Sequence, residues 1–532
     1  MFLRLHKILA DFHRSAINKN IHKYIFKMDH AYLRRLSDNE QFLISFKYKN
    51  EELKVERQFN FNRKLAETVD TFLSRVVANV EKSVCDDIFQ PKNNIVLKVR
   101  EKDYNVIVNS PWVDTIELPL SILANFPVYS SKFETVYTDK DQPATFTWFK
   151  SSNQVEWTEA GHEYIFTPTN EDVGCYLKLK CVPRNGDIEG PEVEVISTCK
   201  VEASPGLCPF EVRHRFTKCR AEGREFRVVT YNILADLYCD SDYTREILHP
   251  YCPAYALKID YRKLLILKEI IGYNADLICL QEVDRKVYSH DLAPALHHLG
   301  FDSDFAEIRF QKLASKCIVF SEHISRDPQF ADVWEKISRN EKLSERILGR
   351  KSTLQVNVIE SLEHEEVLVV ANTHFYFHPD ADHIRLLHGG LAIRYLENYI
   401  NDLKKEITNK RISLIFCGDF NSVPECGVYK LYTTGTVPKD CIDYSSNSEQ
   451  TVQDVEFTQN LQLGSACGTP KYTNFTAGFA DCLDYIFYEK SNLAVTQVVP
   501  LPSHEEVTQN TALPSVVFPS DHIALVSDLK WL

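Results

Sequence analysis

The sequence predicts an α/β protein, in which a two-sheet α/β sandwich domain is preceded by a β-rich, sandwich-like domain. Two patterns indicate this fold. In residues 40–202, short runs of alternating apolar and polar residues are separated by turn residues, as is typical of antiparallel strands. After residue 225, strand-like runs alternate with helical runs, and acidic, amide and histidine side chains stand at several strand ends. The length of 532 residues accommodates both domains.

The first 35 residues differ from the rest because they are basic and poor in acid. Eight lysines and arginines stand against only Asp11 and Asp29, and apolar residues recur near helical spacing. This composition is typical of a mitochondrial transit peptide, and the alternative is a disordered basic arm. We therefore expect a transit peptide over residues 1–35 and a mitochondrial matrix location. A product that starts at Met28 would lose most of this segment, which allows a minor cytosolic form.

The N-terminal domain, residues 40–202, carries no evident chemistry. Its predicted strands are 42–48, 95–99, 145–149, 177–182 and 193–196. Short strands at close spacing favour a sandwich or a small barrel, with Trp148 as a core residue. A substrate-positioning or partner-binding module and a structural appendage both fit this domain. Residues 203–224, which contain Ser204-Pro205-Gly206, form the predicted linker.

The C-terminal domain, residues 225–532, alternates predicted strands with predicted helices. The strands are 226–233, 276–283, 366–372 and 412–417. A helix over 257–271 ends at Gly272, a natural C-cap residue, and a helix over 383–407 carries an apolar face. This order of elements predicts sheets on the inside and helices on the outside.

Composition excludes several classes of protein. The net charge of −13 disfavours a generally basic nucleic-acid binder, although an enzyme that grips a short piece of nucleic acid needs positive charge only locally. No apolar run approaches the ~20 residues of a membrane span, so no membrane association is expected. The fifteen cysteines include no C-x-x-C pair, which disfavours structural zinc and favours buried reduced thiols such as Cys279 and Cys417. No obligate protein partner is evident.

Polar side chains at strand ends carry the candidate chemistry. Glu282 directly follows one apolar run, and Asp419 and Asn421 stand two residues apart after another. In an extended segment such residues point to the same side, so both are expected to face one phosphate. Asp521 and His522 add a carboxylate beside an imidazole. A carboxylate can take a proton from water, and an imidazole can stabilise charge on phosphorus, so the pattern predicts a metal-assisted phosphoester hydrolase.

The segments around these residues match a known family. Residues 225–532 resemble the endonuclease/exonuclease/phosphatase superfamily, and within it the deadenylase branch, especially its mitochondrial 2′,5′-phosphodiesterases. The matching segments are residues 228–236, 280–285, 371–374, 378–379, 384–386, 416–422, 483–486 and 520–522. The β-rich region and the basic leader are also similar to the mitochondrial members. The resemblance implies a 3′→5′ exoribonuclease and phosphodiesterase that cleaves 2′,5′-oligoadenylate and the poly(A) tails of mitochondrial RNA and releases AMP.

The resemblance also implies a magnesium site made of oxygen ligands. Glu282 would be its principal ligand. The full candidate set is Asn232, Glu282, Asp419, Asn421 and Asp521. Mg²⁺ prefers hard oxygen ligands and is often held by only one or two protein carboxylates, which suits these side chains.

The same resemblance implies catalytic roles for five residues. Asp419 would take the proton of the attacking water, and Asn421 would position the scissile phosphate. His522, held by Asp484, would contact phosphate oxygens together with His374.

The substrate of this branch carries adenine, and the resemblance implies where that base binds. Pro379 and Phe479 match the apolar face and the aromatic ring that hold adenine, and Asn474 lies near them in the motif. Stacking of this kind contributes roughly 1–3 kcal/mol per base. The alternative for Phe479 is ordinary core packing. The expected partners are therefore adenylate-rich RNA and 2′,5′-oligoadenylate.

One segment departs from the family pattern. The branch normally has a Lys-x-Glu-Gly segment and a further strand after the strand that carries Glu282, but no Glu-Gly pair occurs between Asp284 and Asn357. The sequence therefore predicts a sheet that is one strand short near residues 310–317. Unpartnered backbone groups cost roughly 1–3 kcal/mol each when buried, so reduced stability and impaired activity are expected.

Two other functions fit parts of the sequence. Another phosphohydrolase of the same superfamily, such as an inositol phosphatase, a sphingomyelinase or an abasic-site endonuclease, would use the same acid, amide and imidazole chemistry. A catalytically weakened RNA-binding scaffold would account for the missing strand. The motifs leave the preference between 2′,5′ and 3′,5′ linkages open, because the phosphate chemistry is the same for both.

Overall fold

The computed structural model describes residues 2–4, 29–36, 41–50, 55–64, 96–99, 102–140, 142–239, 241–302 and 309–532. Most of the predicted leader, residues 5–28, lies outside the described residues. Within the described part of the chain, no helix is long and apolar enough to cross a membrane.

A five-stranded sheet opens the N-terminal domain and begins inside the segment predicted as a leader. Across the sheet the strands are Val55–Lys64, Gln41–Asn50, Asp29–Leu36, Lys102–Val108 and Val96–Val99. Ala31 and Leu33 of the middle strand are fully buried. The predicted leader, residues 1–35, overlaps this strand, and its extent stays a prediction.

A second group of strands completes the N-terminal domain and confirms that it is rich in strands. These strands are Trp112–Glu117, Lys132–Val136, Ala144–Ser151, Thr158–Gly161, Tyr176–Asn185, Ile188–Glu189 and Val193–Ile196. The first two pair with each other, and the others form an antiparallel sheet. Trp148, the predicted core residue, is fully buried and donates its indole N–H to the Glu163 carbonyl at 2.9 Å.

Two six-stranded sheets form the two-sheet sandwich that the sequence predicts. The first nuclease sheet contains, in spatial order, Phe301–Asp302, Phe2–Arg4, Leu277–Gln281, Glu225–Asn232, Leu525–Trp531 and Leu493–Val498. The second nuclease sheet contains Phe310–Val319, Thr353–Ser361, Glu366–His374, Arg411–Asp419, Asp484–Glu489 and Leu463–Ser465. Each sheet has a parallel pair at its centre, so the carboxyl ends of those strands meet at one edge.

Apolar side chains fill the space between the two nuclease sheets. Cys279 of the first sheet and Cys417 of the second belong to one buried cluster with Val228, Ile415 and Trp531. Both cysteines are buried free thiols, as the sequence predicts. Burial of this apolar layer contributes roughly 25 cal/mol per Å² and holds the two sheets in register.

Helices cover the outer faces of the sheets. The described α-helices are Pro209–Arg213, Asp236–Cys239, Ala254–Leu257, Ile259–Gly272, Arg285–Val287, Ala293–His298, Phe320–His323, Ala331–Ile337, Glu341–Leu348, Asp382–Glu406, Gly427–Thr434 and His504–Thr508. Ile259–Gly272 and Asp382–Glu406 confirm the two predicted helices. Two short hairpins pair Thr436–Val437 with Phe457–Thr458, and Asn474–Phe475 with Ala480–Asp481.

The sequence predicts a sheet that is one strand short near residues 310–317. Phe310–Val319, where the sequence departs from the family pattern, forms a ten-residue strand at the edge of the second sheet. In the first sheet, Leu277–Gln281 pairs with Glu225–Asn232 on one side and with the three-residue Phe2–Arg4 on the other. A short segment from the start of the chain therefore stands beside the strand that precedes Glu282. The reduced stability expected from a missing strand stays a prediction.

The N-terminal domain and the first nuclease sheet share a core. The Tyr129 hydroxyl donates to Asp291 Oδ1 at 3.1 Å, and the Tyr164 ring stacks on the His298 ring with 3.9 Å between centroids. One buried apolar cluster contains side chains from both domains, among them Val113, Phe146, Leu179, Val229 and Ile278. The N-terminal domain is thus packed into the fold as a support for the sheet that leads to Glu282.

His388 is a buried titratable group away from the strand ends. It lies on helix Asp382–Glu406 and stacks on the Phe320 ring with 4.8 Å between centroids. Both of its ring nitrogens lack a hydrogen-bond partner among the described residues. Burial therefore lowers the pKa of His388 from 6.5 to about 4.

We expect His388 to make the fold sensitive to acid. Between pH 6.5 and about 4, the unfolded chain takes up a proton on His388 that the folded chain does not. Its contribution to the free energy of unfolding is therefore complete above pH 6.5 and falls as the pH is lowered, by at most about 1.4 kcal/mol per pH unit. Urea unfolding of wild type and His388→Leu over this range measures the effect, and equal pH slopes would contradict it.

Candidate active site

The predicted site residues meet at the edge where the parallel strands of both sheets end. Asn232 ends its strand in the first sheet, and Glu282 follows the adjacent strand. His374 and Asp419 end neighbouring strands of the second sheet and are paired in register. Since the two sheets pack together, these four side chains come to one place although they are far apart in the sequence.

The Asn232 side chain joins the two sheets at this place. Its amide Nδ2 donates to Glu282 Oε1 at 3.1 Å and to Asp419 Oδ2 at 3.0 Å. Its Oδ1 accepts from the Leu234 N–H at 3.0 Å, which fixes the amide orientation. Asn232 is only 1% exposed. One buried amide therefore holds two carboxylates from different sheets side by side.

The backbone conformation at Glu282 determines the direction of its carboxylate. Its φ is +56°, in the left-handed region that costs energy for a residue with a side chain. This turn directs the carboxylate toward Asn232 rather than along the strand. Oε2 accepts a hydrogen bond from the Ala235 N–H at 2.9 Å, so the following loop also restrains it.

Asp419 and Asn421 come together through a turn, which corrects the prediction that they share one side of an extended segment. The strand ends at Asp419, and Asn421 has a φ of +48°. Its backbone N–H donates to Asp419 Oδ1 at 2.9 Å, and its Nδ2 donates to the Phe375 carbonyl at 3.0 Å. Local hydrogen bonds, rather than strand periodicity, therefore hold Asn421 beside the Asp419 carboxylate.

His522 and Asp484 form the hydrogen-bonded pair that the motif suggests. His522 Nδ1 lies 2.8 Å from Asp484 Oδ2, and the Thr473 hydroxyl donates to the same oxygen at 2.6 Å. The Nε2 atom of His522 faces Asp419 Oδ2 at 3.6 Å. Burial alone would lower the pKa of His522, but the carboxylates of Asp484 and Asp419 raise it well above its usual value. These carboxylates therefore favour the protonated form of the imidazole that faces Asp419.

His374 approaches the same carboxylates from the second sheet. Its Nε2 lies 3.4 Å from Asp419 Oδ2 and 3.9 Å from Glu282 Oε1. Its side chain is 29% exposed, so it borders solvent where a substrate phosphate would enter. The structure thus brings Asn232, Glu282, His374, Asp419 and His522 together.

The donor set fits a divalent cation. Among the described residues, one oxygen or nitrogen of each of Asp419, Asp484 and His522 lies within 4.8 Å of the others. Asp484 is already engaged by His522 and Thr473. Glu282 and Asp419, held together by Asn232, offer the hard oxygens that such a cation prefers. Glu282 and Asp419 could therefore hold such a cation.

Asp521 and Asn474, to which the resemblance assigns separate roles, are joined by a hydrogen bond. Asn474 Nδ2 donates to Asp521 Oδ2 at 3.1 Å, and Asn474 is 6% exposed. Asn474 also forms a backbone bridge with His522. These contacts fix the chain segment that carries His522.

The two residues predicted to hold adenine lie on the surface. Phe479 is 46% exposed at the tip of the Asn474–Phe475 and Ala480–Asp481 hairpin, so the core-packing alternative for it is wrong. Pro379 is exposed in the loop that follows His374. Both rings are therefore accessible to a base.

Four residues that support the site have no role in the prediction from the sequence. Gln281 Nε2 donates to Asn372 Oδ1 at 2.8 Å, which adds a second polar link between the sheets. The Ser520 hydroxyl donates to the Asn232 carbonyl at 2.7 Å, and Thr473 binds Asp484. All four lie within or beside the motif segments, but only their contacts distinguish them from ordinary neighbours.

Comparison with known proteins now identifies the family. The model of the Endonuclease/Exonuclease/phosphatase family matches residues 229–522. The chain belongs to this family. A second model, the 2′,5′-phosphodiesterase 12-like, N-terminal domain, matches residues 110–202 of the β-rich region. As a member of this family, the chain is a divalent-metal-dependent phosphoester hydrolase, as the sequence predicts.

Individual relatives extend the match. The chain is 42% identical over 487 residues to "2′,5′-phosphodiesterase 12" of Rattus norvegicus, and the match covers 85% of this chain and 79% of that protein. It is 28% identical to the "CCR4-Not complex 3′-5′-exoribonuclease subunit Ccr4" of Yarrowia lipolytica, with coverage of 58% and 48%. The crystal structure of ANGEL2, a 2′,3′-cyclic phosphatase, has a TM-score of 0.45 and 22% identity, covering 58% of this chain and 96% of that one.

We expect Gly418→Ala to damage the site. A Cβ at Gly418 would lie 2.2 Å from the Thr373 carbonyl oxygen, so the backbone before Asp419 must move. Overpacking of this kind costs roughly 1–3 kcal/mol and should displace the Asp419 carboxylate. Urea unfolding and phosphodiester hydrolysis measure the two effects. The matched control for stability is Gly478→Ala, where a Cβ meets nothing within 4 Å. Equal stability of the two variants would contradict this account.

Proposed function

We propose that this chain is a Mg²⁺-dependent 3′→5′ exoribonuclease and phosphodiesterase that cleaves 2′,5′-oligoadenylate and the poly(A) tails of mitochondrial RNA, releasing AMP. The observation that carries the proposal is the Asn232 amide, which holds Glu282 and Asp419 together, with His522 Nε2 3.6 Å from Asp419 Oδ2. Relatives that match 85% of the chain bear the name 2′,5′-phosphodiesterase 12, which supports the linkage chemistry.

The proposed reaction is an attack by water on the scissile phosphate. Asp419 is oriented by Asn232 and Asn421 and takes the proton of the water. His522, charged and held by Asp484, donates a hydrogen bond to the phosphate oxygen on which negative charge builds. Mg²⁺, held by Glu282 and Asp419, would supply further positive charge at the phosphate.

Two further side chains complete the phosphate site in this proposal. Asn421 holds a phosphate oxygen from the second sheet, since its backbone is fixed beside Asp419. His374, which faces both Glu282 and Asp419, binds another oxygen at the solvent side. Asp521 supports the site from outside by holding Asn474, which is bridged to His522.

The exposed rings of Phe479 and Pro379 support a preference for adenylate. Base stacking is worth roughly 1–3 kcal/mol per base and requires an accessible ring. The loop with Pro379 is rigid because Asp380 is held by Arg346 at 2.7 Å and by Asn447 at 2.8 Å. A fixed ring loses little entropy on binding, which favours a defined base position.

We expect Asp419→Ala to abolish AMP release from 2′,5′-linked and 3′,5′-linked diadenylate. Loss of a general base costs roughly 10²–10⁴-fold in rate, and loss of a metal ligand adds to this. Asp419→Asn keeps the shape and should also be inactive. Asp440→Asn, an exposed acid in a surface segment, is the matched control and should retain activity. Full activity of either Asp419 variant would refute the mechanism.

A substrate panel separates the alternatives. An inositol phosphatase, a sphingomyelinase or an abasic-site endonuclease would act on its own substrate and leave diadenylate intact. An RNA-binding scaffold would show no metal-dependent hydrolysis when Mg²⁺ is titrated after treatment with a chelator. The convergence of Glu282, Asp419 and His522 favours the enzyme over the scaffold.

We also propose a mitochondrial matrix location, with a minor cytosolic form that starts at Met28. The basic, acid-poor composition of residues 1–35 supports it. We expect residues 1–28 fused to a fluorescent protein to enter mitochondria, and the chain that begins at Met28 to remain in the cytosol. Equal mitochondrial import of both would contradict the leader assignment.

A further inference from the structure

Glu282 has two distinct sides. Its Oε1 faces Asn232 and lies 3.9 Å from His374, which belongs to the second sheet. Its Oε2 accepts from the Ala235 N–H, which lies in the loop after the first-sheet strand Glu225–Asn232. The residues that follow Ala235 therefore border the site beside Glu282 Oε2, and we call them the second rim.

This second rim is held firmly. The Asp236 N–H donates to Asp284 Oδ2 at 2.6 Å, directly beyond the Ala235 contact with Glu282. Asp236–Cys239 then forms one short helical turn, and the Tyr238 N–H donates to the Ala235 carbonyl at 3.1 Å. The rim is thus positioned by hydrogen bonds to two acidic residues of the segment that follows the strand Leu277–Gln281.

Tyr238 is the aromatic residue on this rim. It is 49% exposed, although a large ring gains by burial. Its backbone N–H donates to the Ala235 carbonyl, and the Ala235 N–H donates to Glu282, so Tyr238 stands next to the acidic side of the site. Partial burial and the carboxylates of Glu282 and Asp284 raise the pKa of its hydroxyl. The Tyr238 carbonyl accepts from the Thr244 hydroxyl, which restrains the backbone at the ring. An exposed ring on a fixed backbone beside a phosphate site suits the stacking of a nucleobase.

A phosphodiester substrate has a nucleoside on each side of the scissile phosphate. Pro379, which follows His374, and Phe479 account for one base in the proposed function. The second rim adjoins Glu282 Oε2, whereas His374 lies 3.9 Å from Glu282 Oε1. We propose that the Tyr238 ring stacks on the second nucleobase, the one joined through the scissile phosphate to the base held by Pro379 and Phe479. This inference rests on the proposed function.

The test uses the full chain with Mg²⁺ and three substrates. These are 2′,5′-linked diadenylate and its two analogues in which one or the other nucleoside is abasic. The variants are Tyr238→Ala, which removes the ring, and Tyr238→Phe, which keeps it. Tyr255→Ala is the matched control, because Tyr255 is 56% exposed and packs on Tyr261. Thermal unfolding verifies that each variant is folded.

We expect Tyr238→Ala to lower kcat/KM for diadenylate by roughly 5- to 100-fold, mainly through KM, because stacking energy is lost. Tyr238→Phe and Tyr255→Ala should stay within about twofold of wild type on this substrate. On one of the two abasic analogues, wild type and Tyr238→Ala should differ by no more than about twofold, since the stacking partner is already absent.

Three results would overturn the inference. An equal loss on all three substrates would mean that Tyr238 acts through Glu282 and not on a base. An unchanged KM for diadenylate would mean that the ring makes no contact with substrate. A loss in Tyr238→Phe as large as in Tyr238→Ala would assign the effect to the hydroxyl. Failure of the proposed function is distinct, because the wild-type chain would then cleave no diadenylate.

Discussion

The site depends on one buried amide at the junction of two sheets. The Asn232 amide donates one hydrogen bond to Glu282, which belongs to the same sheet, and one to Asp419, which belongs to the other sheet. Both acceptors are carboxylates and carry like charge. Two such groups repel each other at close range in a partly buried place, so the arrangement requires donors and positive charge around it. The Asn232 amide and the His522 imidazole meet part of this requirement, and a bound divalent cation would add positive charge. Any change that shifts one sheet against the other therefore breaks the site.

The two sheets are held in register by different parts of the fold. The first sheet shares a buried cluster with the N-terminal domain, through contacts such as Tyr129 with Asp291 and Tyr164 with His298. The second sheet is covered by helix Asp382–Glu406, which belongs to a separate apolar cluster. Between the sheets, Cys279 and Cys417 lie in a third cluster directly below the strand ends that carry the chemistry. The β-rich domain thus contributes to the site without supplying a residue to it.

Backbone strain is concentrated where the chemistry is. Glu282 and Asn421 both adopt left-handed backbone conformations, and Leu234, in the loop beside Glu282, does so as well. Each costs of order 1–3 kcal/mol and persists because the surrounding hydrogen bonds and packing hold it. Regular strand geometry would direct these side chains along the sheet faces. The turns direct them across the sheet edge, toward one another.

The sequence alone determined the class of fold, the principal strands and helices of the nuclease domain, and the residue types of the site, because apolar periodicity and strand-end polar residues are local properties. It placed Glu282, Asp419 and His522 in one mechanism. Other features depend on contacts between distant parts of the chain and were decided only by the tertiary structure. These are the hydrogen bonds of the Asn232 amide to both sheets and the surface position of Phe479. The turn that brings Asn421 to Asp419 was also seen only in the structure. The tertiary structure also showed that Asp29–Leu36 is the middle strand of a sheet, since the burial of Ala31 and Leu33 depends on partners distant in the chain.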